Sequence, residues 1–142
     1  MSSTKSQWWH TEHDADIGLR AVASSRELLF AAMGQALTAV VTNPATVANE
    51  QKVRIACEAP DDAMLLVDWL NALIYEMATR RLVFGSWTVE LSGTKLDAVV
   101  TGEKLDREKH EPVVEVKGAT LTELAVAQDD LGDWHGQCVV DV

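Results

Sequence analysis

Two histidines and two aspartates, His10, His13, Asp14 and Asp16, fall within one short stretch, "WWHTEHDADIGLR", near the start of the chain. Imidazoles suit zinc, but zinc sites want further cysteine or histidine ligands at short spacing, and none lies close by in sequence. Carboxylates are hard oxygen donors, suited to calcium, magnesium or manganese. If the chain is already extended at Asp14, Asp14 and Asp16 point to one face, where two like charges repel unless a cation or a basic group sits between them. The alternative is that Asp16 is solvated or pairs with Arg20 on the same face. At the other end, Asp141 and the α-carboxylate of Val142 are close by chain geometry. They could complete a cation site with Asp16 if the first and last strands are neighbours. A different chemistry, phosphoester hydrolysis with Asp14 and Asp16 on a metal and His13 as base, uses the same residues.

Positioning such groups requires a core, and the chain has the means for one. It holds 142 residues, 47% of them hydrophobic and 24% charged, with three prolines and eight glycines, so one globular domain spanning residues 1–142 is expected. Lys and Arg number 12 against 22 Asp and Glu, a net charge of −10. That field disfavours direct binding to DNA or RNA backbones, so any service to RNA would run through another protein. Cys57 and Cys138 have no metal-type spacing, as in a reduced cytoplasmic protein. The stretch "AMLLVDWLNALIYEMA" is too short for a bilayer span and carries Asp68, Asn71 and Glu76. No P-loop, dinucleotide fingerprint, nucleophile elbow or H-E-x-x-H is present, which argues against an autonomous nucleotide-dependent enzyme or serine hydrolase.

Alternation of Ala15, Ile17, Leu19, Ala21 and Ala23 with polar or small residues predicts a strand, preceded by Trp8 and Trp9 covering a core edge. Ser24 and Glu27 have capping-box spacing ahead of a helix from about Ser25 to Val41. "KVRIACE" reads as a strand, and Asp61 or Asp62 caps a second helix with the stripe Leu66, Trp69, Leu70, Leu73 and Met77. "WTVEL" and "KLDAVVT" flank the turn signal Ser92-Gly93, and "VVEVKGATLTELAV" and "QCVVDV" read as further strands. The order predicts an α+β fold, two helices layered on a mostly antiparallel sheet.

Four segments together resemble one family. "HDADIGLRA" is similar to the H-T-A-D-I-G-I-R-A opening of the archeases, and "LLVDWLNALIYEM" to their second-helix signature. "GEKLDREKHEPVVEVKGAT" is similar to their G-E-x-x-D-x-x-x-H and E-V-K-A-x-T segments, and "VVDV" to their closing residues. The resemblance implies a small α+β accessory protein, not an enzyme in its own right. Its partner would be an RtcB-type RNA ligase of tRNA splicing and repair, whose guanylylation and multiple turnover it promotes; GTP belongs to the ligase. It also implies a divalent cation, calcium first, held by Asp16, Asp141 and the Val142 carboxylate. Asp14 stands where the family has threonine and adds a carboxylate beside that site. Glu103, Asp106, His110 and Lys117 match family positions and are candidate ligase contacts, the alternative being a solvated loop and strand edge. Leu121 and Thr122 replace a family tyrosine and histidine, so any role of that histidine is not carried over.

Overall fold

The computed structural model describes residues 5–142. In chain order its elements are β1 (Ser6–His13), β2 (Asp16–Ala23), α1 (Arg26–Val41), a 3-10 turn (Pro44–Thr46), β3 (Gln51–Glu58) and α2 (Asp62–Arg80). They continue with β4 (Leu82–Ser92), β5 (Lys95–Lys104), α3 (Arg107–His110), β6 (Gly118–Ala119), β7 (Ala125–Gln128) and β8 (Trp134–Asp141). All strand pairs are antiparallel. The α+β expectation holds, but the single sheet divides in two. One runs β1-β2-β8-β6, with β7 also paired to β8; the other runs β3-β5-β4.

Helix α1 touches both sheets, packing on β1, β2 and β8 of one and on β4 of the other. Such a helix must be apolar nearly all round. Leu29, Phe30, Met33, Ala36 and Leu37 are all fully buried. Gly34 lets β4 approach, since a Cβ there would lie 2.8 Å from the Trp87 ring. The helix starts one residue later than the capping-box spacing suggests. Ser25, not Ser24, is the N-cap, its hydroxyl accepting from the Leu28 N–H. Asp61 caps α2 in the same way through Met64, while Asp62 pairs with Arg26 at 3.0 Å. Trp69 of α2 is buried and donates its indole N–H to the Phe30 carbonyl at 2.9 Å, tying the two helices together.

Two other expectations are corrected. The tryptophan pair belongs to a strand, β1, whose alternation turns Trp8 to the core and leaves Trp9 exposed. The stretch 113–126 is not a long strand. Only Gly118–Ala119 and Ala125–Gln128 pair, and Thr120 through Leu124 form a turn with Glu123 at φ 54°. Among the described residues, no helix is long and apolar enough to cross a membrane.

Candidate metal centre

The site is set by a hairpin and a register. His13 pairs with Asp16 in the β1–β2 ladder, which makes Asp14-Ala15 a two-residue turn. Turns of that length need positive φ, which aspartate tolerates better than most residues. Asp14 sits at φ 53°. It is therefore not extended, and the expectation that it shares a strand face with Asp16 fails.

The first and last long strands of this sheet, β2 and β8, are neighbours, with Ile17 opposite Val140. The ladder ends at that pair; carried one residue past it, the same register sets Asp16 opposite Asp141, which pairs on its other side with Gly118 of β6. Residues directly opposite in an antiparallel pair point to one face with Cβ atoms about 5 Å apart. His13, Asp16 and Asp141 thus form a row across three strands. Val142 follows, its side chain packed against the core, which brings the end of the chain to the same edge. Asp16 is half-buried and Asp141 exposed.

The charges around this row are paired elsewhere. Arg20 does not turn to Asp16. Its guanidinium lies 3.6 Å from one oxygen of Glu123, and His13 Nε2 lies 3.5 Å from the other. Among the described residues nothing forms a hydrogen bond or ion pair with the side chains of Asp14, Asp16 or Asp141. Nor do three His, Cys, Asp or Glu side chains converge closely enough among the described residues to hold a metal unaided. Two carboxylates from adjacent strands are still hard oxygen donors that suit a hard cation, for the basic groups nearest them, His13 and Arg20, are held by Glu123, and exposed Lys117 forms no ion pair with them among the described residues. Calcium and magnesium take at least six oxygens, so half or more of the shell would come from water or a partner.

The remaining histidines have structural partners. His10 Nε2 lies 2.8 Å from the Ala36 carbonyl, its ring against Trp8. His110 is fully enclosed. Its Nδ1 accepts from the Asp106 N–H at 2.8 Å, which leaves the proton on Nε2, and Nε2 donates to Glu103 at 2.9 Å. The same Glu103 oxygen accepts from the Ala48 N–H and from Lys109, and these three donors pull its carboxyl down to about 2. Asp106 caps α3 through Glu108 and Lys109. Glu103 and His110, expected on a solvated loop or at a partner's surface, are instead 7% and 4% exposed and face one another. Lys117 is exposed, and its N–H donates to the Asp141 carbonyl.

Sequence reasoning missed Glu123, which takes both basic groups away from Asp16. It also missed Ala48 and Lys109 as partners of Glu103. Nothing in the local pattern marks Glu123, because its partners come from another hairpin.

A sequence model of the Archease protein family matches residues 8–142. The archease of Pyrococcus abyssi is 36% identical over 140 residues, covering 96% of this chain and 99% of that protein. The archease of Pyrococcus furiosus is 35% identical with the same coverage. In fold, the chain is similar to the solution structure of a Methanobacterium thermoautotrophicum protein, with TM-score 0.78, 24% identity and coverage of 95% and 98%. It is also similar to the crystal structure of a Thermotoga maritima archease described as a possible chaperone, with TM-score 0.61, 17% identity and coverage of 93% and 94%. With the family pattern running from Trp8 through the acidic row to Val142, and relatives above 30% identity along nearly their whole length, the chain belongs to the archease family.

Proposed function

We propose that this archease acts in the cytoplasm as an accessory protein of an RtcB-type RNA ligase, promoting guanylylation and repeated turnover. A divalent cation, calcium ahead of magnesium or manganese, is held by Asp16, Asp141 and the Val142 carboxylate, with Asp14 on the adjoining turn adding negative potential. The observation that carries this reading is the β2–β8 register, which, carried one residue past its last pair, sets two carboxylates opposite each other, neither of them in an ion pair among the described residues. Left bare, that pair is a small electrostatic fault in the sheet edge.

The chain's own residues do three things here. Strand pairing fixes the separation of the carboxylates, so they need not be gathered from flexible loops. Glu123 draws off Arg20 and His13, leaving the row negative. Short coverage leaves part of the coordination sphere open, as a site finished by a partner requires. A cation in that position would supply charge neutralisation to phosphate oxygens brought against it. The nucleotide is the ligase's, and the net charge of −10 supports reaching RNA only through the ligase. Lys117, exposed beside Asp141, and Asp106 remain the candidate contacts. Glu103 and His110 act by holding the loop that carries Asp106.

The test is GTP-dependent, multiple-turnover RNA ligation with and without this protein. Asp16→Asn and Asp141→Asn should each abolish stimulation while the fold persists. Full stimulation by both variants overturns the site, and absence of stimulation by the wild type overturns the partner.

A further inference from the structure

A second feature, separate from the acidic row, lies where α2 ends. A groove of about 450 Å³ is lined by aliphatic residues, among them Val41, Ile74, Leu105 and Val116, and by the charged residues Arg81, Arg107 and Glu115. Its volume is in the range of sites that enclose a ligand. No aromatic residue lines it, so it offers no stacking platform for a base. In a chain of net charge −10, basic groups normally find acidic neighbours. Arg80 does, on Glu76, and Lys109 does, on Glu103. Arg81 and Arg107 are exposed and have no ion pair among the described residues.

One wall is the segment Pro112–Val116, which belongs to no sheet. Its burial alternates residue by residue from Glu111 to Lys117, the mark of an extended chain. The N–H of Val113 donates to Val41 and that of Lys117 to Asp141, so odd-numbered residues use the side facing the protein. In an extended chain the N–H and C=O of Val114 and Val116 then point to the other side. Among the described residues they have no partner. The segment is an unpaired edge beside a groove of mixed lining, where aliphatic side chains lie among polar surface that includes Glu115 and two guanidinium groups without ion pairs among the described residues.

We propose that this groove binds an extended peptide segment of a partner protein, one that alternates aliphatic and acidic residues. The peptide would add as a strand to Val114–Val116, place aliphatic side chains in the groove, and set carboxylates against Arg81 and Arg107. Main-chain bonds to Val114 and Val116 give the direction of the peptide, and the arginines select its charge.

The probe is the octapeptide (Asp-Val)4, titrated against the full chain and followed by backbone amide shifts and hydrogen exchange. The expected result is saturable binding that perturbs and protects the Val114 and Val116 amides. The double variant Arg81→Asn, Arg107→Gln, with asparagine chosen to keep the positive φ of 55° at position 81, should weaken it about 2- to 30-fold. Its melting curve checks that the fold is kept. Several results would overturn the proposal. They are no binding at millimolar peptide, equal binding of (Lys-Val)4, equal binding of a peptide N-methylated at alternate residues, and binding of octanoate with the same shifts. Concentration-dependent self-association that protects the same two amides without peptide would assign the edge to a second copy instead.

Discussion

Replacing Asp16 by asparagine should move the melting temperature in opposite directions with and without a divalent cation. The β2–β8 register, carried one residue past its last pair, sets Asp16 opposite Asp141, with Cβ atoms about 5 Å apart and the charges taken at about the same separation. In the water-like surroundings of an exposed edge, that separation corresponds to a repulsion of about 0.8 kcal/mol, reduced further by salt. Removing one charge should therefore stabilise the cation-free protein. For a domain of this size a stability change of 1 kcal/mol moves the melting point by about 4 °C, so the variant should melt about 1–3 °C higher in chelator. With cation present at about a hundred times its dissociation constant, the wild type gains about 2.7 kcal/mol, or about 10 °C, and Asp16→Asn loses most of that gain. Melting curves followed by circular dichroism, in chelator and in millimolar calcium, magnesium and manganese, read both effects. The reasoning is refuted if the wild type melts at one temperature in all four conditions. A lower melting point for the variant in chelator would show that Asp16 has a stabilising partner, contrary to the bare carboxylate pair argued above.

The Glu103 carboxyl is held near 2, against 4.5 for an ordinary glutamate, by Ala48, Lys109 and His110. A carboxyl depressed on folding stabilises the protein above its unfolded value, and that contribution fades as pH falls from about 4.5 towards 2. Glu103→Gln should be less stable at neutral pH and lose this part of the acid slope, measured by urea midpoints down the pH series. Trp69→Phe removes the bond to the buried Phe30 carbonyl and should cost about 1–3 kcal/mol in the same assay. Gly102→Ala would set a Cβ 1.9 Å from the Val83 carbonyl oxygen; a backbone clash of that kind should destabilise by about 3 kcal/mol. Burial pushes the Cys138 thiol up to about 11, so at pH 8 a thiol reagent should label Cys57 first. Labelling of Cys138 should await unfolding, and comparable rates for the two would contradict its burial.

Local pattern carried the two long helices and most strands, because each has one strong periodicity and a capping or turn signal of its own. Ser25, Asp61 and Gly93 sit within a residue of where those signals point. It failed where pairing depends on distant chain. The turn Asp14-Ala15 is not a usual hairpin dipeptide, so β1 went unread although "SQWWHTEH" is rich in strand-forming residues. Splitting of the sheet was equally hidden, since alternation reports that a face is buried and not which strand lies beside it. At the site, the neighbouring positions of Asp16 and Asp141 follow from that pairing alone. Proximity of β2 and β8 could be stated only as a condition. Glu103 and His110 show the reverse case, for a polar, charge-rich segment reads as surface, whereas three donors converging on one oxygen permit its burial.

Net charge is a poor guide to where this molecule can hold an anion or a cation, and the reason is range. Salt screens exposed charges beyond about 8 Å, so the overall −10 governs approach from a distance while local pairing decides what a bound group meets. Five of the twelve basic residues, Arg80, Arg81, Lys104, Arg107 and Lys109, gather where α2 and β5 end. Lys104 is fixed there by the Arg80 carbonyl, and the chain after β5 by the Leu105 bond to Arg81. Glu76 and Glu103 consume two of those charges and leave Arg81 and Arg107 open. Across the β1–β2 hairpin the logic is inverted: Glu123 consumes Arg20 and His13 and leaves Asp16 and Asp141 open. Each unpaired set is therefore produced by a neighbour that has taken its counter-ions. Glu123→Gln should follow from this directly. It frees Arg20 to turn towards Asp16, and calcium affinity should fall although no proposed ligand has been changed; unchanged affinity by calorimetry would show that Glu123 does not keep the row negative.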